Sequence, residues 1–129
     1  MIKSLLIANR GEIAVRIIKT CKKMGIRTVQ VFSDADKDSL ATKLADEAVN
    51  IGPPPAAQSY LRGDIIIEKA LERSVDAIHP GYGFLSENAL FSANVAKKGL
   101  IFIGPSSEVI KSLGDKIAAR RIAETAGIE

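Results

Sequence analysis

The stretch Lys3-Ser4-Leu5-Leu6-Ile7-Ala8-Asn9-Arg10-Gly11-Glu12-Ile13-Ala14-Val15-Arg16-Ile17-Ile18-Lys19-Thr20-Cys21-Lys22-Lys23-Met24-Gly25 decides the fold class. Lys3–Ala8 is a Leu- and Ile-rich run of strand length, which suits a strand buried on both faces. Asn9-Arg10-Gly11 breaks that pattern. From Glu12 onward the apolar positions Ile13, Ala14, Ile17, Ile18, Cys21 and Met24 recur at helical spacing. Arg16, Lys19 and Lys23 take the polar face, and Gly25 stands where a helix C′ residue belongs. A buried strand running through a short break into an amphipathic helix opens a βαβ unit.

The alternation continues in both halves of the chain. Thr28–Phe32 reads as a second strand, followed by the turn-rich Ser33–Asp38 and a short helix, Leu40–Ala45, capped by Asp38 or Ser39. Glu47–Ile51 is a third strand, stopped by Gly52-Pro53-Pro54-Pro55. Ile65–Arg73 is helical, Ala77–Ile78 a strand end, and His79-Pro80-Gly81-Tyr82-Gly83 a loop. Glu87–Lys98 is helical with Ser86 as its cap, Leu100–Ile103 is another strand, and helices over Glu108–Leu113 and Lys116–Ala126 follow. Short links between alternating strands and helices predict an α/β, Rossmann-like domain, a mostly parallel sheet with helices on both faces. Ala126-Gly127-Ile128-Glu129 ends just past a helix C-cap. That ending suits either a natural boundary or a piece of a longer chain.

Composition narrows the class. The chain has 129 residues, 47% hydrophobic and 26% charged, with one Cys and one His. This is globular usage and fits one domain, and a single Cys excludes a disulfide framework or a cysteine-based zinc site. No apolar run approaches a membrane span, and the start, Met1–Arg10, is far too short for a signal h-region. The expected location is cytoplasmic, or mitochondrial if a transit peptide has been removed. The net charge of +3 centres on Arg10, Arg16, Lys19, Lys22, Lys23 and Arg27. No aromatic residue interleaves with that cluster, so nucleic acid is not the expected partner; the plain alternative is a solvated helix face.

The first strand–loop–helix invites a dinucleotide reading, with Asp34 in the ribose position. Gly11 is the only glycine between Ala8 and Ala14, however, so the residues for a tight turn and close pyrophosphate approach are missing. Asp34–Asp38 lacks the later Gly and Glu of a calcium loop and reads as a surface turn. Gly114-Asp115-Lys116 is no phosphate-binding P-loop. Lys116 nevertheless falls in the first turn of its helix, where a cation opposes the dipole; such a lysine suits an incoming anion, or is simply solvated. His79–Asn88 is the chemically densest segment, with exposed backbone N–H groups in a loop at the carboxyl end of a strand. There the lone His79 reads as a loop brace, and Cys21, on the apolar side of its helix, forms no Cys-His pair.

Ile7–Ala14, Ser33–Asp36, Ala45–Ala48, Ser59–Leu61, the whole of His79–Asn88, Phe102–Pro105 and Gly114–Lys116 together resemble the amino-terminal domain of biotin carboxylase. That domain precedes the ATP-grasp fold in acetyl-CoA, propionyl-CoA, methylcrotonyl-CoA and pyruvate carboxylases. The likeness runs through residues 1–129 in order. It implies a ligase that uses ATP, Mg2+ and bicarbonate to carboxylate biotin on a biotin carboxyl carrier protein or domain, for later transfer by a carboxyltransferase. By the same resemblance, the catalytic groups and metal ligands lie outside this chain, which would be inactive alone. Lys116 corresponds to the lysine that reaches an ATP phosphate, Tyr82 and Gly83 to the loop against the biotin ring, with Glu87 close by. Arg16, Lys19 and Lys23 lie on the helix that meets a second subunit in a homo-oligomer. Where the family often carries an arginine and later an acidic residue on that helix, this chain has Lys19 and Lys23, which puts the contact in question. Two other readings stay open, a stand-alone scaffold binding a partner through the Arg16–Lys23 face and an ATP-grasp ligase with a different acid or amine substrate.

Overall fold

Leu5, Leu6, Ile7 and Ala8 are all buried, so the first apolar run is the centre of the sheet. A computed structural model describes residues 1–112. In it β1 (Ser4–Ile7) pairs in parallel with β2 (Arg27–Ser33) on one side and β4 (Ala77–His79) on the other. Outside these lie β3 (Glu47–Gly52) and β5 (Ile101–Phe102), giving five parallel strands in the order β3-β2-β1-β4-β5. The strand order reverses direction at β1, as in doubly wound folds.

Period-two alternation divides the strands between two cores. Leu6, Val29, Val31, Val49 and Ile78 pack with α3 (Gly63–Glu72) and α4 (Ala89–Lys97) through Ile66, Ala70, Phe91 and Val95. Leu5, Ile7 and Ala77 face α1 (Gly11–Met24) and α2 (Leu40–Leu44) through Ala14, Ile18, Cys21 and Ala41. The expected α/β class and its two helical layers are present, and every strand pairing is parallel.

Helix ends follow local chemistry. Gly25 closes α1 at φ +71°, and the Ile26 N–H reaches the Cys21 carbonyl at 2.9 Å, a left-handed cap that glycine adopts at little cost. Ser39, one of the two expected caps, accepts the Thr42 N–H at 3.3 Å. The start of α4 differs from the sequence expectation. Asn88 is the cap, its Oδ1 accepting the Phe91 N–H at 2.8 Å, and Ser86 and Glu87 lie before the helix. Two turns hold that stretch back: Ser86 N–H donates to Gly83 O at 2.9 Å, and Asn88 N–H to Leu85 O at 3.1 Å. α3 starts at Gly63, earlier than expected; a Cβ there would lie 2.7 Å from Phe91 Cδ1, so the missing side chain lets α4 pack close. Residues 107–112 are helical, with Ser106 Oγ accepting the Val109 N–H at 3.3 Å. The expected helix Lys116–Ala126, and Lys116 with it, lies outside the described residues.

Candidate functional site

In a doubly wound sheet the ligand crevice opens where the carboxyl ends of the strands on either side of the reversal diverge. Here those ends are β1 and β4, and Asn9 closes the space between them. Its Nδ2 donates to Pro80 O at 2.8 Å and to Tyr82 O at 2.6 Å, while its Oδ1 accepts the Arg10 N–H at 2.8 Å. A Cβ on Gly81 would meet Asn9 Nδ2 at 2.7 Å and Ile13 Cγ2 at 2.9 Å, and Gly81 has φ +65°. Glycine at position 81 thus lets Asn9 pass against the loop. Arg10 folds over the same end onto Asp36, with Nε at 2.7 Å and Nη2 at 2.8 Å. That fork holds the Asp36 carboxyl below its usual range, opposed by partial burial and aided by the Tyr60 hydroxyl. The side chains of Asn9 and Arg10 occupy the switch point.

Beyond it the His79–Asn88 loop turns outward. His79 is half-buried, and its Nδ1 accepts the Gly81 N–H at 3.0 Å; burial lowers its pKa and keeps the ring neutral. This is the loop brace expected from the sequence. Tyr82 is 77% exposed. Gly83 has φ +67° with nothing within 4 Å of where a Cβ would point, so its backbone borders open space. Behind them lies a cavity of about 480 Å3, lined chiefly by apolar groups of β1, α1 and the strand ends, Ile2, Ile13, Ile17 and Ile103 among them, together with His79, Tyr82 and Arg16. That volume lies in the range of small-molecule sites, about 300–1,000 Å3.

The structure thus brings together two groups of residues that sequence reasoning kept apart, because Tyr82 of the loop and Arg16 of α1 line one cavity. Lys19 and Lys23 stand exposed on α1, and Glu87 is exposed just before Asn88. Asp36 and Tyr60 went unread as members of the site. Asp36 sits in a turn that reads as surface, and Tyr60 beside a proline-rich break. Asp36 pairs with Arg10 across 26 positions of sequence and with Tyr60 across 24, beyond any local pattern.

A family model for the biotin carboxylase N-terminal domain matches residues 1–110. The chain belongs to that family. Biotin carboxylase of Halalkalibacterium halodurans is 61% identical over 128 residues, a match covering 99% of this chain and 28% of that protein. The mitochondrial methylcrotonoyl-CoA carboxylase subunit alpha of Glycine max is 54% identical over 127 residues, covering 98% of this chain and 17% of that protein. Among solved structures, the biotin carboxylase domain dimer of Hydrogenobacter thermophilus 2-oxoglutarate carboxylase, in complex with MgADP, ADP and bicarbonate, is 45% identical with a TM-score of 0.88. That match covers 98% of this chain and 28% of that one. The chain therefore spans well under a third of the length of these relatives.

The residues of this domain fit the groups of biotin carboxylase chemistry unequally. An exposed aromatic ring, a bare glycine backbone and an apolar cavity suit the close approach of a small ring. A nucleotide finds no cradle at the switch point, which Asn9 and Arg10 fill. Among the described residues no group of three or more His, Cys, Asp or Glu side chains is placed to hold a metal ion. No helix among them is long and apolar enough to cross a membrane.

Proposed function

We propose that residues 1–129 form the amino-terminal domain of a longer ATP-grasp ligase, one that uses ATP, Mg2+ and bicarbonate to carboxylate carrier-bound biotin. The observation that carries this reading is the His79–Asn88 loop, which turns Tyr82 and Gly83 outward beside an apolar cavity of about 480 Å3. Tyr82 offers an apolar face with a polar tip, and Gly83 admits close approach of a ring to the backbone. Glu87 lies close by in sequence. Activation of bicarbonate by phosphoryl transfer is the chemistry ATP would supply. We assign Lys116 to its phosphates, as a point charge rather than a proton donor.

The carrier protein or domain and a carboxyltransferase are the partners this reading names. Arg16, Lys19 and Lys23 are its candidate contact with a second subunit. The H. thermophilus domain was solved as a dimer, and one relative is described as mitochondrial; these support self-association and a cytoplasmic or mitochondrial location.

The test is ADP formation by the complete protein, with bicarbonate present and free biotin varied. Stimulation by biotin is expected, and its absence would favour an ATP-grasp ligase of another substrate. A hydrogen bond to a charged group contributes about 1.5–3 kcal/mol, so Lys116→Ala should weaken ATP use by roughly 10- to 150-fold. The 129-residue chain alone should give no turnover. Carboxylation of free biotin by it would overturn the placement of the remaining machinery elsewhere.

A further inference from the structure

The loop that carries Tyr82 and Gly83 is held from two sides, and both holds lead to one carboxylate. On the near side Asn9 Nδ2 grips the carbonyls of Pro80 and Tyr82, and Asn9 Oδ1 accepts the N–H of Arg10. Arg10 in turn forks onto Asp36. On the far side Phe84 has φ +44°, a left-handed conformation taken by a residue that is not glycine. A bulky side chain keeps that conformation only where its surroundings hold it. Its ring stacks on Tyr60, with centroids 5.2 Å apart and planes 20° apart. Tyr60 is 2% exposed. Its hydroxyl accepts the Ser33 N–H at 3.1 Å and donates to Asp36 Oδ2. The circuit closes through Asn9, Arg10, Asp36, Tyr60 and Phe84, and its two grips, on the Tyr82 carbonyl and on the Phe84 ring, bracket Gly83.

We infer that Tyr60 is a positioning residue for this loop: its ring fixes Phe84, and its hydroxyl ties that hold to the ends of β1 and β2 through Asp36 and Ser33. Filling the core does not need this arrangement, since phenylalanine would occupy the volume without a buried hydroxyl to satisfy. The hydroxyl is satisfied by the groups that steady Arg10, so displacement of the loop and displacement of the β1 end are coupled. The consequence for biotin affinity rests on the function proposed above; the consequence for loop order does not.

The experiment uses the complete protein and two readouts, hydrogen exchange in peptides covering residues 79–88 and the separate kcat and KM for free biotin. Tyr60→Leu removes ring and hydroxyl, Phe84→Leu removes the stacking partner, and Tyr60→Phe keeps the stack alone. Both leucine variants should speed exchange in the loop and raise the biotin KM by about two- to tenfold, the size of an aromatic pair, with kcat within about twofold because uniform binding is what is lost. Tyr60→Phe should restore most of the KM. Exchange over residues 14–24, the part of α1 beyond the circuit, should stay as in wild type. Should Tyr60→Leu not fold, Phe84→Leu carries the test. Unaltered loop exchange in a folded leucine variant would overturn the inference, as would exchange rising equally over the whole domain. Faster loop exchange with an unmoved biotin KM would uphold the positioning role and overturn the assignment of this loop to biotin.

Discussion

His79 shows how one side chain can tie loop geometry to pH. Its Nδ1 accepts the Gly81 N–H at 3.0 Å, so the ring is neutral with its proton on Nε2, and burial lowers its pKa below the ordinary value. Well above its unfolded pKa of about 6.5 the ring is neutral whether the chain is folded or not, and it contributes no pH dependence. As pH falls below that value the unfolded chain takes up the proton first, so stability declines until the folded ring is protonated too. Protonation at Nδ1 also removes the acceptor that shapes the loop. Asn places an oxygen where Nδ1 stands and does not titrate. The urea midpoint of the wild type should therefore fall between about pH 7.5 and about pH 5.5, and that of His79→Asn should fall less. Equal declines would mean that His79 is not the titrating group. Asp36 acts in a different window. Its carboxyl is held low mainly by Arg10, so the stability it contributes is present above its unfolded pKa of about 3.9 and is lost at lower pH.

At the scale of single elements, helix ends separate what the sequence discloses from what it hides. α1 was legible at both ends, because Asn9-Arg10-Gly11 interrupts an apolar run and Gly25 follows the last periodic residue. The start of α4 was not. Ser86, Glu87 and Asn88 all suit a helix start by composition, and the choice among them is made by Phe84, whose left-handed backbone sets the turns that follow. Nothing local to Phe84 announces that conformation; it depends on Tyr60, 24 positions upstream. The same holds for Asp36, which belongs to a turn by local chemistry and to the site by a long-range pair. Period and punctuation carry the sheet and its layers, whereas the clamp on the loop depends on tertiary contact alone. The observed cap has a measurable consequence. Asn88→Ala should cost about 1 kcal/mol in chemical denaturation. Ser86→Ala should be close to neutral, since Ser86 enters the turn through its backbone N–H. The reverse ranking would return the cap to Ser86.

The whole molecule poses a question of coverage. Crossovers between parallel strands are right-handed almost without exception. With the order β3-β2-β1-β4-β5, the crossovers through α1 and α2 run outward from β1 on one face, and those through α3 and α4 occupy the other. Among the described residues the face that α1 shares therefore has no crossover helix over β4 and β5, and the apolar cavity bounded by Ile17 and Ile103 lies there. Beside it the outer surface of α1 carries Arg16, Lys19 and Lys23 at i, i+3 and i+7, all exposed. Like charges at such spacing repel by a few tenths of a kcal/mol per pair, roughly 0.2–0.5. A partner surface bearing carboxylates would turn that cost into attraction and speed association. The complete protein should accordingly self-associate through this stripe, and the 129-residue chain alone should sediment as a monomer at micromolar concentration. Screening shortens to about 3 Å at 1 M salt, so an interface held by these cations should loosen there, while one held by apolar contacts would persist. Sedimentation of the complete protein carrying Lys19→Glu and Lys23→Glu separates the cases. Weaker association than wild type at low salt, with the difference vanishing at high salt, is the expected result. A dimer indifferent to both the substitutions and the salt would show that the cations on α1 are a solvated face and that the contact between subunits lies elsewhere.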